Sequence, residues 1–315
     1  MTSATPSLIL SARLRAAGES TQYIERGARV GEFVRVRPGA YLTAAEWQSL
    51  SPRDRHLVAM RAVSETSRRR LLFCAESAAA LHGIPVLGAW PERPHIVDQV
   101  GRRRAALVGV ATHRLDLPDE DVVQIGDVLA TSPLRTAFEI AATRGFLAGV
   151  VALDYVLGAA FKAPRGEAEM WLERARPFRG ARRADAALGV ATGLAETPLE
   201  SLSLGQCHLL GFPQPRQQVE FTVDGRVFRT DFYFEEADVI GEADGRSKYA
   251  PDGFDGSLPE ARLWAEKDRE DILRSVVRGF ARWGWDHALG GHEPARRLHR
   301  AGVYPTRRFA SSAIG

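Results

Sequence analysis

Asp231 and Glu242 sit in two neighbouring runs, RVFRTDFYF and DVIGEA, whose composition is that of β-strands. Period-two alternation puts Phe228, Thr230, Phe232 and Phe234 on one face of the first run and Arg229, Asp231 and Tyr233 on the other. In the second run Ile240, Glu242 and Asp244 share a face. If the two strands are adjacent, Asp231 and Glu242 converge. Two convergent carboxylates repel unless a positive charge joins them, and a hard divalent cation, Mg²⁺ or Mn²⁺, is the usual one. Such a cation takes oxygen ligands, keeps several waters and is held by one or two carboxylates beside substrate phosphate, a combination suited to phosphodiester hydrolysis.

The elements that must position this pair are legible around it. In TPLESLSLGQCHLLGF, Thr197 reads as a helix N-cap, Pro198 as the first turn, Glu200 as the residue three after the cap, and Gly211 as the stop before Pro213. QQVEFTV and RVFRTDFYF, joined by Asp224-Gly225, read as an antiparallel hairpin with a two-residue type I′ turn. The DVIGEA strand follows, then a long charged helix from about Pro259 to Ser275 and a late strand, FARWGW, whose Trp283 and Trp285 are expected in the core or on the sheet face. Glu200 is either a capping residue or a holder of a metal-bound water. Asp244 is either a third metal ligand or a turn residue before Gly245.

Asp231-Phe232-Tyr233-Phe234, followed by Ile240-Gly241-Glu242-Ala243-Asp244-Gly245 with Lys248 and Tyr249 close behind, resembles the small PD-(D/E)XK endonuclease-like domains related to very-short-patch-repair enzymes. GEFVRVRPGAYL, ESAAALHGIP and TSPLRTAFEIA are similar to segments of actinobacterial AbiEi-like proteins, the type IV antitoxins of abortive infection. The nuclease resemblance implies a mixed sheet flanked by helices that binds DNA, with Asp231 and Glu242 as metal ligands, the Ala243 carbonyl completing the shell, and in-line attack of a metal-activated water on the phosphodiester. The family's usual lysine would stand at position 244, which is Asp244 here; Lys248 and Lys267 are the candidates for its role, and Glu200 joins the catalytic set.

Near the N-terminus, SLILSARLRAA and QYIERGAR read as two helices closed by Gly18 and capped by Ser20 or Thr21, and FVRVRPGAYL as a strand turning at Pro38-Gly39. Helix, helix and basic hairpin outline a winged helix. That reading sends Gln22, Arg26 and Arg29 to the major groove of DNA and Arg35 and Arg37 to phosphates. The alternative is a small helical cap with a solvated charged strand.

The expected fold class is α+β or α/β with several domains: a winged helix over 1–45, a mixed antitoxin-like region over 46–145, a helical connector over 146–195, a restriction-endonuclease-like mixed sheet flanked by helices over 196–290, and a basic tail over 291–315. The whole chain has 315 residues and a net charge of +3, yet residues 1–45 hold six arginines against three glutamates, an asymmetry suited to a polyanion such as DNA. Cys74 and Cys207 lack zinc or disulfide spacing, and His82 and His113 show no partner at ligand or triad spacing. The longest apolar stretch, Gly145 to Phe161, carries Asp154 and is too short for a span. With no leader-like N-terminus, the expectation is a cytoplasmic protein without a membrane partner. Three functions compete: a Mg²⁺- or Mn²⁺-dependent DNA endonuclease, an antitoxin-type transcriptional regulator with an inactive nuclease-like domain, and an antitoxin that binds a toxin or other protein.

Overall fold

The computed structural model describes residues 6–99, 107–244 and 260–306, and the chain divides into two units, 1–139 and 140–315. Both mix helices with sheets, so the α+β, multidomain expectation holds at that level.

In the first unit β1 (Ile9–Leu10) leads into α1 (Ser11–Ala16), α2 (Gln22–Val30) and a hairpin of β2 (Phe33–Arg37) and β3 (Ala40–Thr43), with strand order β1-β3-β2, all antiparallel. Gly39 makes the turn with φ +83°. Helix α2 lies close on the hairpin because Gly27 has no side chain: a Cβ there would come 2.6 Å from the Phe33 ring. Thr21 makes no side-chain cap, and Ser20 Oγ instead accepts the Gln22 amide at 3.3 Å.

The polar segment after the hairpin is two helices, α3 (Ala44–Ser49) and α4 (Pro52–Thr66), because Ser51-Pro52 ends one and starts the other. Val58 and Ala62 of α4 share a core with Leu8, Leu10, Ala40 and Leu42, so the packing of the N-terminal elements reaches past residue 45. Next come β4 (Leu72–Phe73), α5 (Ala75–His82), β5 (His95–Gln99), β6 (Ala111–Leu115), β7 (Val122–Ile125) and β8 (Val128–Thr131), which form a mixed sheet in the order β6-β5-β4-β8-β7. Helix α6 (Pro133–Arg144) starts at a proline, with Ser132 Oγ accepting the Arg135 amide at 3.3 Å.

The second unit opens with α7 (Phe146–Leu157), α8 (Arg165–Ala175) and α9 (Ala181–Val190). The apolar stretch that includes α7 is a buried helix, and among the described residues no helix is long and apolar enough to cross a membrane. Asp154, 1% exposed, is saturated: it accepts the amides of Thr192 and Gly193 at 2.7 and 2.6 Å and the Ser201 hydroxyl at 2.7 Å, tying α7 to the next helix, α10 (Pro198–Leu209).

A four-stranded sheet follows from β9 (Arg216–Val223), β10 (Arg226–Phe234), β11 (Val239–Ala243), helix α11 (Glu260–Ser275) and β12 (Gly279–Trp283). Its order is β12-β11-β10-β9, antiparallel except for the parallel pair β11–β12. The hairpin turn is as its sequence requires, with Asp224 and Gly225 both left-handed at φ +51° and +75°. Ile272 and Leu273 of α11 pack against Ile240 and Phe280. Trp283, 1% exposed, stacks on Phe232 at 6.0 Å between centroids and donates from Nε1 to Ser203 Oγ of α10 at 2.7 Å. Gly241 is required here, since a Cβ would lie 2.8 Å from the Trp283 ring.

Two helices close the described chain, α12 (Trp285–Gly290) and α13 (His292–Ala301). Within the basic tail the chain is helical as far as Ala301: its apolar residues are few, but Pro294 and Leu298 are buried.

Candidate functional site

Strand β10 pairs with β11 at Phe232–Gly241, Tyr233–Ile240 and Phe234–Val239. One step further along this register, Asp231 stands across from Glu242. The ladder is modified there: Asp231 Oδ2 accepts the backbone N–H of Ala243 at 2.7 Å, which fixes the carboxylate beside the β11 strand. Oδ1 makes no hydrogen bond among the described residues.

Glu242 is 7% exposed, and both its oxygens are held by one guanidinium. Arg269 on α11 donates from Nη1 to Oε2 at 3.3 Å and from Nη2 to Oε1 at 3.1 Å, while Nη2 also donates to the Arg229 carbonyl at 2.7 Å. In this fork a single side chain both neutralises the buried carboxylate and donates to each of its oxygens. Around it lies a wider charge lattice, in which Arg282 of β12 meets Glu266 at 2.8 Å, Glu270 at 3.3 Å and Asp244 at 4.0 Å.

The electrostatics follow from burial and from crowding of like charge. Asp231 is pushed up to about 7, first by burial, then by Glu242 and Glu200, against the opposing pull of the Ala243 amide and Arg269. Glu242 is also raised, burial outweighing its bonds to Arg269. Glu200 is raised by burial, although it accepts hydrogen bonds from Thr197 Oγ1 at 2.7 Å, the Glu196 amide at 3.0 Å and Gln218 Nε2 at 2.9 Å. Glu242 and Glu200 thus both oppose ionisation of Asp231, which Arg269 offsets only in part.

The remaining expected site residues fall unevenly. Glu200 serves as a capping residue, as one of its two readings holds, and Thr197 Oγ1 in turn accepts its amide at 3.3 Å. Lys267 is exposed on α11, with its ammonium 5.6 Å from the Trp264 ring centroid. Two residues along a helix is about 200° of rotation, so the helix that brings Arg269 to Glu242 turns Lys267 away. The cation that meets the carboxylates is Arg269, which no family signature marks. Lys248 lies outside the described residues. Asp244 adjoins Arg282, and among the described residues no group of three or more His, Cys, Asp or Glu side chains is placed to hold a metal ion. A two-carboxylate set still fits a magnesium-like ion, which completes its shell with waters and phosphate oxygens.

In the first unit Gln22, Arg26 and Arg29 are all exposed, at the four- and three-residue spacings that align them along one face of α2. Arg35 is exposed on β2, whereas Arg37 is half-buried, donates to the Val108 carbonyl at 3.4 Å and is lowered by burial. Of the two hairpin arginines, Arg35 is the one presented to solvent.

No family model matches the chain, and no curated protein matches it. Solved structures that align with it include one from Mycobacterium tuberculosis. The crystal structure of the RV2827C protein from Mycobacterium tuberculosis covers 70% of this chain and 85% of its own at 15% identity and a TM-score of 0.39. A likeness this slight carries no argument about fold or function.

Sequence reasoning also missed a histidine cluster in the first unit. His113 Nε2 lies 3.3 Å from His95 Nδ1, which lies 3.1 Å from Glu76 Oε2; the His95 amide donates to Ser77 Oγ at 2.8 Å, and Ser77 Oγ meets His56 Nε2 at 2.9 Å. His113 is therefore not alone; parallel pairing of β5 with β6 supplies its partner. His82 Nε2 meets the Thr131 carbonyl at 2.7 Å.

Proposed function

We propose that this protein binds DNA and carries, in residues 196–290, a PD-(D/E)XK-type site for Mg²⁺- or Mn²⁺-dependent cleavage of DNA phosphodiesters. The observation that carries the reading is the face-to-face placement of Asp231 and Glu242 on adjacent strands, close enough for one to raise the other. Crowding of the two carboxyl groups favours a proton on Asp231, and a hard divalent ion can take that proton's place. When bound, such an ion supplies charge neutralisation and a more acidic water. The chain's own part is then to hold that ion with Asp231 and Glu242, to present the Arg269 and Arg282 guanidiniums to the phosphate, and to keep the strands in register through Phe232 and Trp283. The exposed basic face of α2, with Arg35 on the hairpin, suits a winged-helix contact with DNA, Gln22, Arg26 and Arg29 in the major groove and Arg35 on a phosphate.

A second reading is favoured by the Arg269–Glu242 fork: with Asp244 in the lysine position and an arginine on Glu242, the domain would be an inactive scaffold in an antitoxin-type regulator that binds DNA, a toxin or another protein partner. Incubating the purified protein with supercoiled plasmid in Mg²⁺, Mn²⁺ or EDTA, beside Asp231→Ala and Glu242→Ala, separates the two. Nicking that requires both the ion and the carboxylates supports the nuclease; salt-sensitive binding without nicking supports the regulator.

A further inference from the structure

A divalent cation on Glu242 would have to share the carboxylate with a guanidinium, and the two positive charges repel. Both Oε1 and Oε2 accept from Arg269, and at 7% exposure little water is present to screen that guanidinium from a second positive partner. Asp231, by contrast, commits Oδ2 to the Ala243 amide and has Oδ1 to give. Arg269 also has an alternative to hand, since Glu266, one turn earlier on its own helix, lies 3.8 Å from Nη1.

We propose, resting on the nuclease reading above, that Arg269 is an exchangeable counter-charge: it latches Glu242 while the site is free of cation, and on cation binding it is released to become the bidentate ligand of the substrate phosphodiester. Glu242 then trades one positive partner for another, and the freed fork meets an anion whose geometry it matches as well as it matched the carboxylate. No bond is made or broken covalently in this exchange. The arrangement makes cation binding weak in the resting protein and couples it to DNA, because phosphate compensates the displaced guanidinium while Glu242 accepts the ion.

The test is Mn²⁺ binding at pH 8, read by electron paramagnetic resonance of the free ion, for the wild type, Arg269→Gln and Arg269→Lys, each also melted with and without Mn²⁺. Removing a charge-assisted fork should tighten Mn²⁺ binding by about tenfold or more, because hydrogen bonds to charged groups are that strong. Arg269→Lys, which keeps the charge but not the fork, should fall between and also guards against failure of Arg269→Gln to fold. Binding of a short DNA duplex in Ca²⁺ should weaken in Arg269→Gln despite the tighter ion. Wild type and variants binding Mn²⁺ equally well would overturn the exchange while leaving the ion site standing. Absence of binding even in the variants would remove the ion site and the exchange together, and Mn²⁺ binding in the variants but not in the wild type would support the latch most strongly.

Discussion

Replacing Asp231 by asparagine should make the protein more stable at alkaline pH, by an amount that the site's geometry sets. The folded protein holds this carboxyl at about 7 against an ordinary 3.8, chiefly through burial and Glu242. At ~1.4 kcal/mol for each tenfold difference in proton affinity, ionising it in the folded state costs up to about 4 kcal/mol. The sign follows from linkage. Between about pH 4 and 7 the folded state binds the proton more tightly than the unfolded chain, so stability falls as pH rises across that window and levels off above it. Asparagine keeps the oxygen that accepts the Ala243 amide and turns an NH₂ toward Glu242, but does not ionise. Urea denaturation in EDTA at pH 5 and pH 8 isolates the effect as a difference between the two proteins, since every other titrating group is shared. The variant's advantage should grow by about 3 kcal/mol between those pH values. Curves that run parallel from pH 5 to 8, or a wild type that gains on the variant as pH rises, would refute the picture of a carboxyl crowded by its neighbour.

Other consequences are as specific. Arg26→Ala and Arg29→Ala should each weaken DNA binding across sequences and lower the slope of log K against log salt by about 1 if they contact phosphate, or relax base preference if they read the groove; fluorescence anisotropy over a salt series distinguishes these, and no change would remove α2 from the interface. Gly241→Ala should destabilise the protein by ~1–3 kcal/mol by driving a methyl into the Trp283 ring, measured by thermal melting; a neutral effect would mean the Phe232–Trp283 stack is looser than described. His56 and His113 are both lowered, first by burial, so the folded state favours their neutral forms and stability should be lost as pH falls below about 6.5; His56→Gln should flatten that acid limb.

What could be read in advance was whatever short-range chemistry decides. Asp224-Gly225 dictated its turn because few other pairs tolerate two left-handed residues, and Thr197-Pro198 with Glu200 dictated the start of α10 because the cap and its partners lie within one turn. The pairing of β10 with β11 followed, since a short connection leaves antiparallel neighbours as the natural arrangement, and with it came the approach of Asp231 to Glu242. Arg269 was not legible, because its meeting with Glu242 depends on how α11 is rotated on the sheet, which the packing of Ile272 and Leu273 sets rather than any local pattern. Lys267 looked equally eligible from the sequence and faces elsewhere for the same reason. The His56–Ser77–His95–Glu76–His113 cluster was hidden likewise, its members brought together by α4, α5 and two parallel strands separated in sequence. The helix α13 was underrated because two buried residues, Pro294 and Leu298, suffice to seat it.

The shared ion can be tested through the proton it must displace. Calorimetric titration of the protein with Mn²⁺ at pH 6.5, repeated in buffers of different ionisation enthalpy, counts protons released on binding. A carboxyl held at about 7 is mostly protonated at that pH, so binding should release about 0.8 of a proton, and none of that share in Asp231→Asn. Mn²⁺ that binds with the same proton count in both proteins would contradict the claim that Asp231 and Glu242 hold one cation between them.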